Sequence, residues 1–266
     1  MSLLDDAEPV AVDACLAAGR HLREVYRNDT ADFDRSATDV TSSADVAAER
    51  RILEALSDAF PEHAIDAEES GRHAGDDDRR WVVDPLDGTN NLEAGLSTFA
   101  SAVTLVLDGE PALAAAYAPV PDDLYVCRRD RGLRYGATPV DGAETPAPAV
   151  EAATVMSVIG HDVKRDPAAA AVADEIARGI ESACKRRLES WCPTVHWGLL
   201  ARGRVDGAVC YRPDEEEQLL GELFVESVGH GTVDGDDEEW FVAARTPALR
   251  ERLLSVVEDA IASTRT

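Results

Sequence analysis

One short segment, residues 81–91 (WVVDPLDGTNN), constrains the fold of this chain more than any other. It begins with a tryptophan and two valines, and aromatic and β-branched residues favour a buried strand. Asp84 and Asp87 follow at once, so they would lie at the carboxyl end of that strand, where open α/β sheets bind their ligands. Taken alone, the segment fits equally well with a strand that ends in an ordinary turn, because aspartate and glycine are common turn residues.

The residues around these aspartates have the composition of a binding loop. Pro85 fixes the backbone between the two carboxylates, and Gly88 permits a positive φ or a close approach of another group. Thr89 and the amides that follow could begin a helix, and a helix N-terminus favours phosphate. The segment therefore predicts carboxylates and a phosphate-binding turn at one end of one strand.

The 266-residue chain is strongly acidic: it has 52 Asp and Glu against 26 Lys and Arg, a formal net charge of −26. Such a surface repels nucleic acid and anionic membranes, so we expect a small molecule as partner and neither nucleic acid nor membrane. Lysine occurs only as Lys164 and Lys185. This composition resembles that of halophilic proteins, in which salt screens the repulsion, so acidic clusters are weaker evidence for a site here than elsewhere.

The five cysteines predict an intracellular setting. They are odd in number and show no Cys-x-x-Cys or Cys/His spacing, which favours reduced thiols over disulfides or zinc ligands. The N-terminus lacks a basic segment followed by an apolar stretch, and no apolar run approaches the length of a membrane span. We therefore expect a cytoplasmic protein.

Hydrophobic periodicity divides the chain into two lobes. In the first half it predicts an antiparallel meander with two long helices and one brief helix. The strands are expected at 64–66, 81–83, 99–107, 112–120, 124–127 and 133–135, the helices at 6–27, 42–60 and 91–95, and loops at 28–41 and 72–79. The second half alternates strand and helix, with strands at 154–159, 186–188, 205–211 and 240–243 and helices at 167–179, 193–202, 214–228 and 247–261. A Pro- and Ala-rich stretch, residues 137–151, separates an expected lobe 1–140, which carries the motifs, from a lobe 141–266.

Four acidic residues lie at or near element ends, where side chains can converge without crossing the core: Asp45, Glu68, Asp84 and Asp87. Carboxylates that converge repel one another unless a cation holds them. Oxygen ligands favour hard ions such as Mg²⁺, which retains waters and often bridges to phosphate. For Asp45 taken alone we favour a structural role, since a carboxylate in the first turn of a helix complements the helix dipole.

Three blocks, in order along the chain, carry a family resemblance: residues 39–45 (DVTSSAD), 67–70 (AEES) and 84–91 (DPLDGTNN). With them the chain resembles the inositol monophosphatase family of Mg²⁺-dependent phosphatases, which includes archaeal fructose-1,6-bisphosphatases. A looser match at residues 203–207 (GRVDG) extends the resemblance over most of the chain. It implies an α/β (α+β) fold layered as an αβαβα sandwich, and a homodimer.

The resemblance also implies residue roles. The expected metal ligands, for two or three Mg²⁺ ions or Mn²⁺, are Glu68, Asp84, Asp87 and the carbonyl of Leu86. Thr89, oriented by Asp45, would activate the attacking water together with Glu68. The turn of Gly88, Thr89 and Asn90 would bind the phosphate.

The second half departs from the family pattern. The family supplies a last metal ligand from a Trp-Asp pair at the start of a late helix, but this chain has an acidic run, residues 214–217. Counting back from residues 226–229 points to Glu216 as the ligand, and counting forward from residue 203 points to Glu217, which we favour. The family's hydroxyl-binding segment aligns with residues 191–196, where Trp191 and His196 could form a substitute pocket. A tryptophan and a histidine near a helix start more often only pack or cap, but we predict that His196 binds substrate.

These observations predict a Mg²⁺-dependent phosphomonoesterase that hydrolyses a small phosphorylated metabolite with a metal-activated water. An inositol phosphate, a sugar phosphate such as fructose 1,6-bisphosphate, and a nucleotide-linked phosphate all fit. The alternative is a degenerate homologue, weakly active or inactive, that binds metal or a phosphometabolite in a regulatory or structural role. This alternative is favoured because the chain lacks both the Trp-Asp pair and the hydroxyl-binding segment of the family.

Overall fold

A computed structural model describes residues 2–35, 40–142, 145–235 and 239–264. The helices in these ranges are α1 (Leu3–Asn28), α2 (Ser43–Ala59), α3 (Thr89–Glu93), α4 (Pro167–Ala183), α5 (Pro193–Ala201), α6 (Glu215–Ser227) and α7 (Pro247–Thr264). The strands are β1 (Phe33–Arg35), β2 (Val40–Ser42), β3 (His63–Ala67), β4 (Gly71–His73), β5 (Asp76–Asp87), β6 (Ala100–Leu107), β7 (Glu110–Ala118), β8 (Asp123–Arg128), β9 (Gly132–Tyr135), β10 (Thr138–Pro139), β11 (Thr154–Ile159), β12 (Arg186–Glu189), β13 (Gly207–Tyr211), β14 (Gly231–Asp234) and β15 (Trp240–Ala244).

These strands form two large sheets and one small hairpin. The first sheet has eight strands in the order β10-β9-β8-β7-β6-β5-β3-β4, antiparallel except for the pair β3 and β5. The second has five strands in the order β12-β11-β13-β15-β14, and β11 runs parallel to both of its neighbours. Strands β1 and β2 pair with each other.

Helices cover the outer face of each sheet and fill the space between them. On the outer face of the eight-stranded sheet, α1 and α2 bury residues such as Leu22 and Ile52 against the strands. Between the sheets, Trp197 of α5 and Phe224 of α6 belong to one apolar cluster with residues of both sheets. On the outer face of the five-stranded sheet, α4 and α7 pack against residues such as Val209. The order of layers is α, β, α, β, α, so the predicted sandwich is confirmed.

Two predicted loops are wrong. Residues 28–41 contain β1 and the first two residues of β2, and residues 36–39, which include Asp39 of the first sequence block, lie outside the described ranges. Residues 72–79 contain part of β4 and the start of β5. The polar residues at positions 76–79 are all exposed, so backbone pairing holds them in a strand where no apolar pattern could indicate one. The edge strand β14 was missed for the same reason, since none of its residues is fully buried.

The two-lobe division stays a prediction. The last strand of the eight-stranded sheet ends at Pro139 and the first strand of the other sheet begins at Thr154, but α6 contacts strands of both sheets. Within the described ranges, no helix combines the length and the apolar character needed to cross a bilayer.

Candidate metal centre

An irregularity at the end of β5 places Asp84 and Asp87 together. Asp84 pairs with Ala102 of β6 and Asp87 with Ala100, so β5 has one more residue than its partner between these two pairs. In a regular strand, residues three apart point to opposite faces, and an extra residue of this kind changes the direction of the side chains. Both aspartates are buried, and they lie close enough to share a ligand.

The third member of this group comes from α6. One carboxylate oxygen from each of Asp84, Asp87 and Glu217 lies within 4.8 Å of the other two. Glu216, the alternative that counting left open, lines the same cavity but is not part of this group. Of the two candidate glutamates, Glu217 is therefore the one that lies with Asp84 and Asp87.

The three carboxylates have the electrostatics of a cation site. Within the described part of the chain no lysine or arginine forms an ion pair with them. Burial, followed by the charges of Glu68 and Asp87, raises the pKa of Asp84 well above its ordinary value. Burial also raises the pKa of Asp87 to about 6, although the Thr194 amide donates to it over 2.6 Å. A divalent cation would offset the cost of burying these carboxylates and the repulsion between them, and an all-oxygen donor set suits Mg²⁺.

Glu68 approaches this group from the end of β3. Its backbone N–H donates to the Val83 carbonyl (3.2 Å), which places Glu68 beside β5, and its side chain lines the cavity. Desolvation and the charges of Glu216 and Asp45 raise the pKa of Glu68. The residue remains open to solvent in the cavity, so burial penalises its charge less than that of Asp84.

A buried glutamate that sequence reasoning missed holds the turn after Glu68. Glu49 of α2 is only 4% exposed and accepts the backbone N–H groups of Glu69 (2.8 Å) and Ser70 (3.4 Å). The signal that could have found it is its spacing, because residues four apart on a helix, here Asp45 and Glu49, share one face.

Glu49→Ala should loosen this turn. The change leaves two backbone N–H groups without their acceptor, so we expect a loss of about 1 kcal/mol in the free energy of unfolding. We also expect about tenfold weaker Mg²⁺ binding, as is usual when a group that supports a ligand is removed. Urea unfolding and Mg²⁺ titration measure the two effects. Glu54→Ala, an exposed glutamate of the same helix, is the control, and equal behaviour of the two variants would contradict this role.

Asp45 makes a contact that fits each of the two roles considered for it. One oxygen accepts the Ser42 N–H (2.6 Å) in a capping box at the start of α2. The other lies 3.1 Å from the Thr89 hydroxyl, which donates to it. The same hydroxyl lies 3.1 Å from the Leu86 carbonyl, and a hydroxyl donates only one proton. If the Leu86 carbonyl binds a metal, Asp45 is the acceptor that remains for the hydroxyl proton of Thr89.

Gly88 shapes the turn that follows. Its φ of +95° is in the left-handed region, and it precedes α3, of which Thr89 and Asn90 line the cavity. A Cβ on Gly88 would lie 3.0 Å from the Thr98 carbonyl and 3.2 Å from Cys192, so a side chain has no room here.

The opposite wall of the cavity comes from the second half of the chain. Trp191 is 41% exposed, and the Lys164 ammonium lies 3.8 Å from the centroid of its indole ring. Among the described residues, Lys164 is the only lysine or arginine that lines this cavity. Neither Lys164 nor the neighbouring His161 was predicted, because the sequence around them carries no motif.

His196 does not reach the cavity. The residue is 9% exposed, and its Nδ1 lies 2.6 Å from the hydroxyl of Ser190, which does line the wall. Burial lowers the pKa of His196 and favours its neutral form. Its position therefore gives no support to the predicted contact with substrate; it supports Ser190 from behind.

Fold and site together define a class: layered αβαβα proteins in which carboxylates of one sheet and of a middle-layer helix line a cation site. A profile described as the inositol monophosphatase family matches residues 3–252, so the chain belongs to the inositol monophosphatase family.

Two curated relatives illustrate the range of this family. The protein named Nus factor SuhB from Salmonella typhimurium is 28% identical over 225 residues, 83% of this chain and 82% of the relative. The protein of Aquifex aeolicus named fructose-1,6-bisphosphatase/inositol-1-monophosphatase is 37% identical over 118 residues, 44% of this chain and 45% of the relative.

Solved structures share the fold. The extragenic suppressor protein suhB from Bartonella henselae has a TM-score of 0.83 at 24% identity and covers 94% of this chain and 97% of its own. An inositol monophosphatase from Anabaena has a TM-score of 0.81 at 22% identity and covers 97% of each chain.

Proposed function

We propose that this protein is a Mg²⁺-dependent phosphomonoesterase that acts on a small phosphorylated metabolite, such as an inositol phosphate or a sugar phosphate like fructose 1,6-bisphosphate. The observation that carries the proposal is the group formed by Asp84, Asp87 and Glu217, with its oxygens within 4.8 Å of one another. The Thr89–Asp45 pair and the Gly88 turn border the same cavity. The names of the Aquifex and Anabaena proteins support the same reaction class.

The proposed metal ligands are Glu68, Asp84, Asp87, Glu217 and the Leu86 carbonyl. Two or three Mg²⁺ ions would occupy them, and Mn²⁺ could replace Mg²⁺. The bound ions would supply Lewis-acid polarisation of the phosphoryl group and a lowered pKa for the attacking water.

The chain's own residues would orient the reaction. Asp45 accepts the Thr89 proton, which leaves the lone pairs of the hydroxyl free to accept a hydrogen bond from the attacking water. The water oxygen bonds to phosphorus in line with the departing alcohol oxygen, and the P–O bond to the alcohol breaks. The water gives up one proton to solvent and the alcohol oxygen takes one from solvent, so the products are inorganic phosphate and the free alcohol. The turn of Gly88, Thr89 and Asn90 faces the phosphate, and Ser190, Trp191 and Lys164 face the alcohol portion.

A panel of sugar, inositol and nucleotide phosphates tests the proposal. We expect release of inorganic phosphate from at least one substrate, dependent on Mg²⁺ and abolished by EDTA. Low and high salt should both be used, because a chain of net charge −26 repels itself at low ionic strength. Absence of turnover under all conditions would contradict the proposal.

Thr89→Val should lower kcat about 10²- to 10⁴-fold, the usual contribution of a group that assists proton transfer. The valine has nearly the same shape and lacks the hydroxyl, so Mg²⁺ should still stabilise the variant. Thr89→Ser, which restores the hydroxyl, is the matched control and should keep most of the activity. A Thr89→Val enzyme with full kcat would exclude this role.

A second candidate is a homologue that acts by binding metal or a phosphometabolite and not by turnover. It is favoured by Glu217, one methylene longer than the family's aspartate, since near-octahedral Mg²⁺ is sensitive to ligand displacement. The name Nus factor, carried by a relative, fits such a role. Mg²⁺-induced stabilisation without turnover on any substrate would select this candidate.

The wider setting is also part of the proposal: a cytoplasmic homodimer whose partners are small metabolites and not nucleic acid or membranes. Light scattering gives the oligomeric state. An electrophoretic mobility assay with RNA and DNA tests the repulsion expected from the acidic surface, and retention of either would contradict it.

A further inference from the structure

The helix that carries Glu217 begins without a side-chain cap of its own. Asp214 is the N-cap residue of α6, and within the described chain its carboxylate makes no capping hydrogen bond to the helix. It instead accepts the backbone N–H of His161 (3.1 Å) and lies 2.9 Å from Nδ1 of the same residue. The first turn therefore depends on contacts outside the helix, because the first backbone N–H groups of any helix lack partners within it.

Electrostatic repulsion acts to separate this turn from β5. Three consecutive glutamates, residues 215–217, form the first turn of α6. The charges of Glu216 and Glu217 act on the acidic group at the end of β5 and β3. The positive end of the helix dipole favours such charges, but by only about 0.3–1 kcal/mol each. Like charges at these distances, partly removed from water, oppose the contact more strongly.

Arg80 bridges the two elements. It lies on β5, four residues before Asp84, and its side chain is 18% exposed. Its Nη2 lies 2.7 Å from Oε1 of Glu215 and its Nη1 lies 3.2 Å from Oε2, a two-point contact with the first turn of α6. The same Nη1 donates to Asp66 of β3 over 2.7 Å, so the guanidinium is fixed from both sides. Planar two-point contacts of this kind set geometry as well as energy.

We propose that Arg80 is a positioning residue for the metal centre: by tying Glu215 to β5, it holds Glu217 against Asp84 and Asp87. It touches neither substrate nor metal and acts through the placement of α6. The inference rests on the proposed function only in taking the three carboxylates as a cation site.

Replacing Arg80 with methionine should weaken Mg²⁺ binding about 10- to 100-fold, the range usual for groups that orient metal ligands. Isothermal titration calorimetry gives the affinity, and thermal unfolding in EDTA and in Mg²⁺ separates metal binding from stability. We expect the Mg²⁺ concentration at half-maximal stabilisation to rise by the same factor. Arg80→Lys keeps the charge but loses the two-point contact, so it should recover part of the affinity.

The matched control is Arg72→Met. Arg72 also pairs with Asp66 (2.7 Å) and belongs to the same sheet, but within the described ranges its ion pairs are with Asp66 and Asp77 and not with α6. It should leave Mg²⁺ affinity unchanged. Glu215→Gln, which keeps the Arg80–Asp66 contact, should reproduce the loss seen in Arg80→Met. Equal Mg²⁺ affinity in Arg80→Met and Arg72→Met, or a loss of stability in EDTA with an unchanged Mg²⁺ midpoint, would overturn the proposal.

Hydrogen exchange in the metal-free protein tests the inference apart from the function. Arg80→Met should speed exchange of the backbone amides of residues 216–220, and Arg72→Met should not. Faster exchange in Arg80→Met alone would support the positioning role, whether or not the unsubstituted protein binds Mg²⁺. Absence of Mg²⁺ binding in the unsubstituted protein would refute the proposed function and not the positioning role. Unchanged exchange in Arg80→Met would refute the positioning role.

Discussion

Asp84→Asn should abolish Mg²⁺-dependent phosphate release and, at the same time, stabilise the metal-free protein. The two effects have one cause, the charge of a carboxylate that is only 3% exposed. The negative charge of Asp84 would bind the metal, but in the metal-free protein the same charge is buried with no cation to compensate it. Loss of metal-assisted stabilisation of the transition state, several kcal/mol, corresponds to a decrease in kcat of about 10³-fold or more.

The direction of the stability change follows from the pKa. Burial and the charges of Glu68 and Asp87 raise the pKa of Asp84 in the folded state above its unfolded value. Such a group contributes stability at pH values below its unfolded pKa, and this contribution is lost as the pH rises through the folded pKa. Asp87, whose pKa is raised to about 6, behaves in the same way. The metal-free protein should therefore lose stability as the pH rises from about 4 through 6 and beyond.

Asparagine at position 84 removes the charge and retains an oxygen that can accept the Leu86 N–H (3.1 Å in the unsubstituted protein). Thermal unfolding in EDTA between pH 5 and 9 should show a higher Tm and a flatter pH profile for Asp84→Asn. In Mg²⁺ the unsubstituted protein should gain about 2.7 kcal/mol at a hundredfold excess over the Kd, and the variant should gain little.

Asp58→Asn is the control for the loss of one negative charge, because Asp58 is exposed on α2. It should change neither the Mg²⁺ response nor the pH profile. An Asp84→Asn protein that Mg²⁺ still stabilises to the full extent would show that the ion, if it binds, does so elsewhere.

Gly88→Ala is the second large effect that we expect. Alanine at φ +95° is strained, and its Cβ would lie 3.0 Å from the Thr98 carbonyl and 3.2 Å from both Cys192 and Phe99. Backbone strain of this kind costs about 1–3 kcal/mol. Because Thr89 directly follows, relief of the clash would displace its hydroxyl, and a shift of about 1 Å can lower the rate 10²-fold.

Gly95→Ala is the control that distinguishes the effect of backbone strain from the effect of a Cβ clash. Gly95 also has a positive φ, +72°, but a Cβ there meets nothing within 4 Å. Both variants should lose stability in urea unfolding, Gly88→Ala by more, and only Gly88→Ala should lose most of its kcat. Equal kcat in the two variants would show that the turn tolerates displacement.

Local patterns predicted most of the fold. The helices α1, α2 and α4–α7 lie close to where periodicity placed them. The start of α2 is fixed within four consecutive residues, because Ser42 and Asp45 form its capping box. Strands without an apolar pattern, such as β4 and the first third of β5, could not be found in this way. Their exposed residues belong to strands only because a neighbouring strand pairs with them.

The sequence by itself determined the chemistry available to this protein: two aspartates around a proline, a glycine turn, a threonine, and acidic residues near other element ends. These signals are local, because bond geometry and side-chain type act over a few residues. Only the tertiary structure placed Glu217, and not Glu216, in one group with Asp84 and Asp87, since adjacent helical residues point about 100° apart and the docking of α6 selects which one faces β5. It likewise turned His196 away from the cavity and brought Arg80 to Glu215, contacts between segments far apart in the chain.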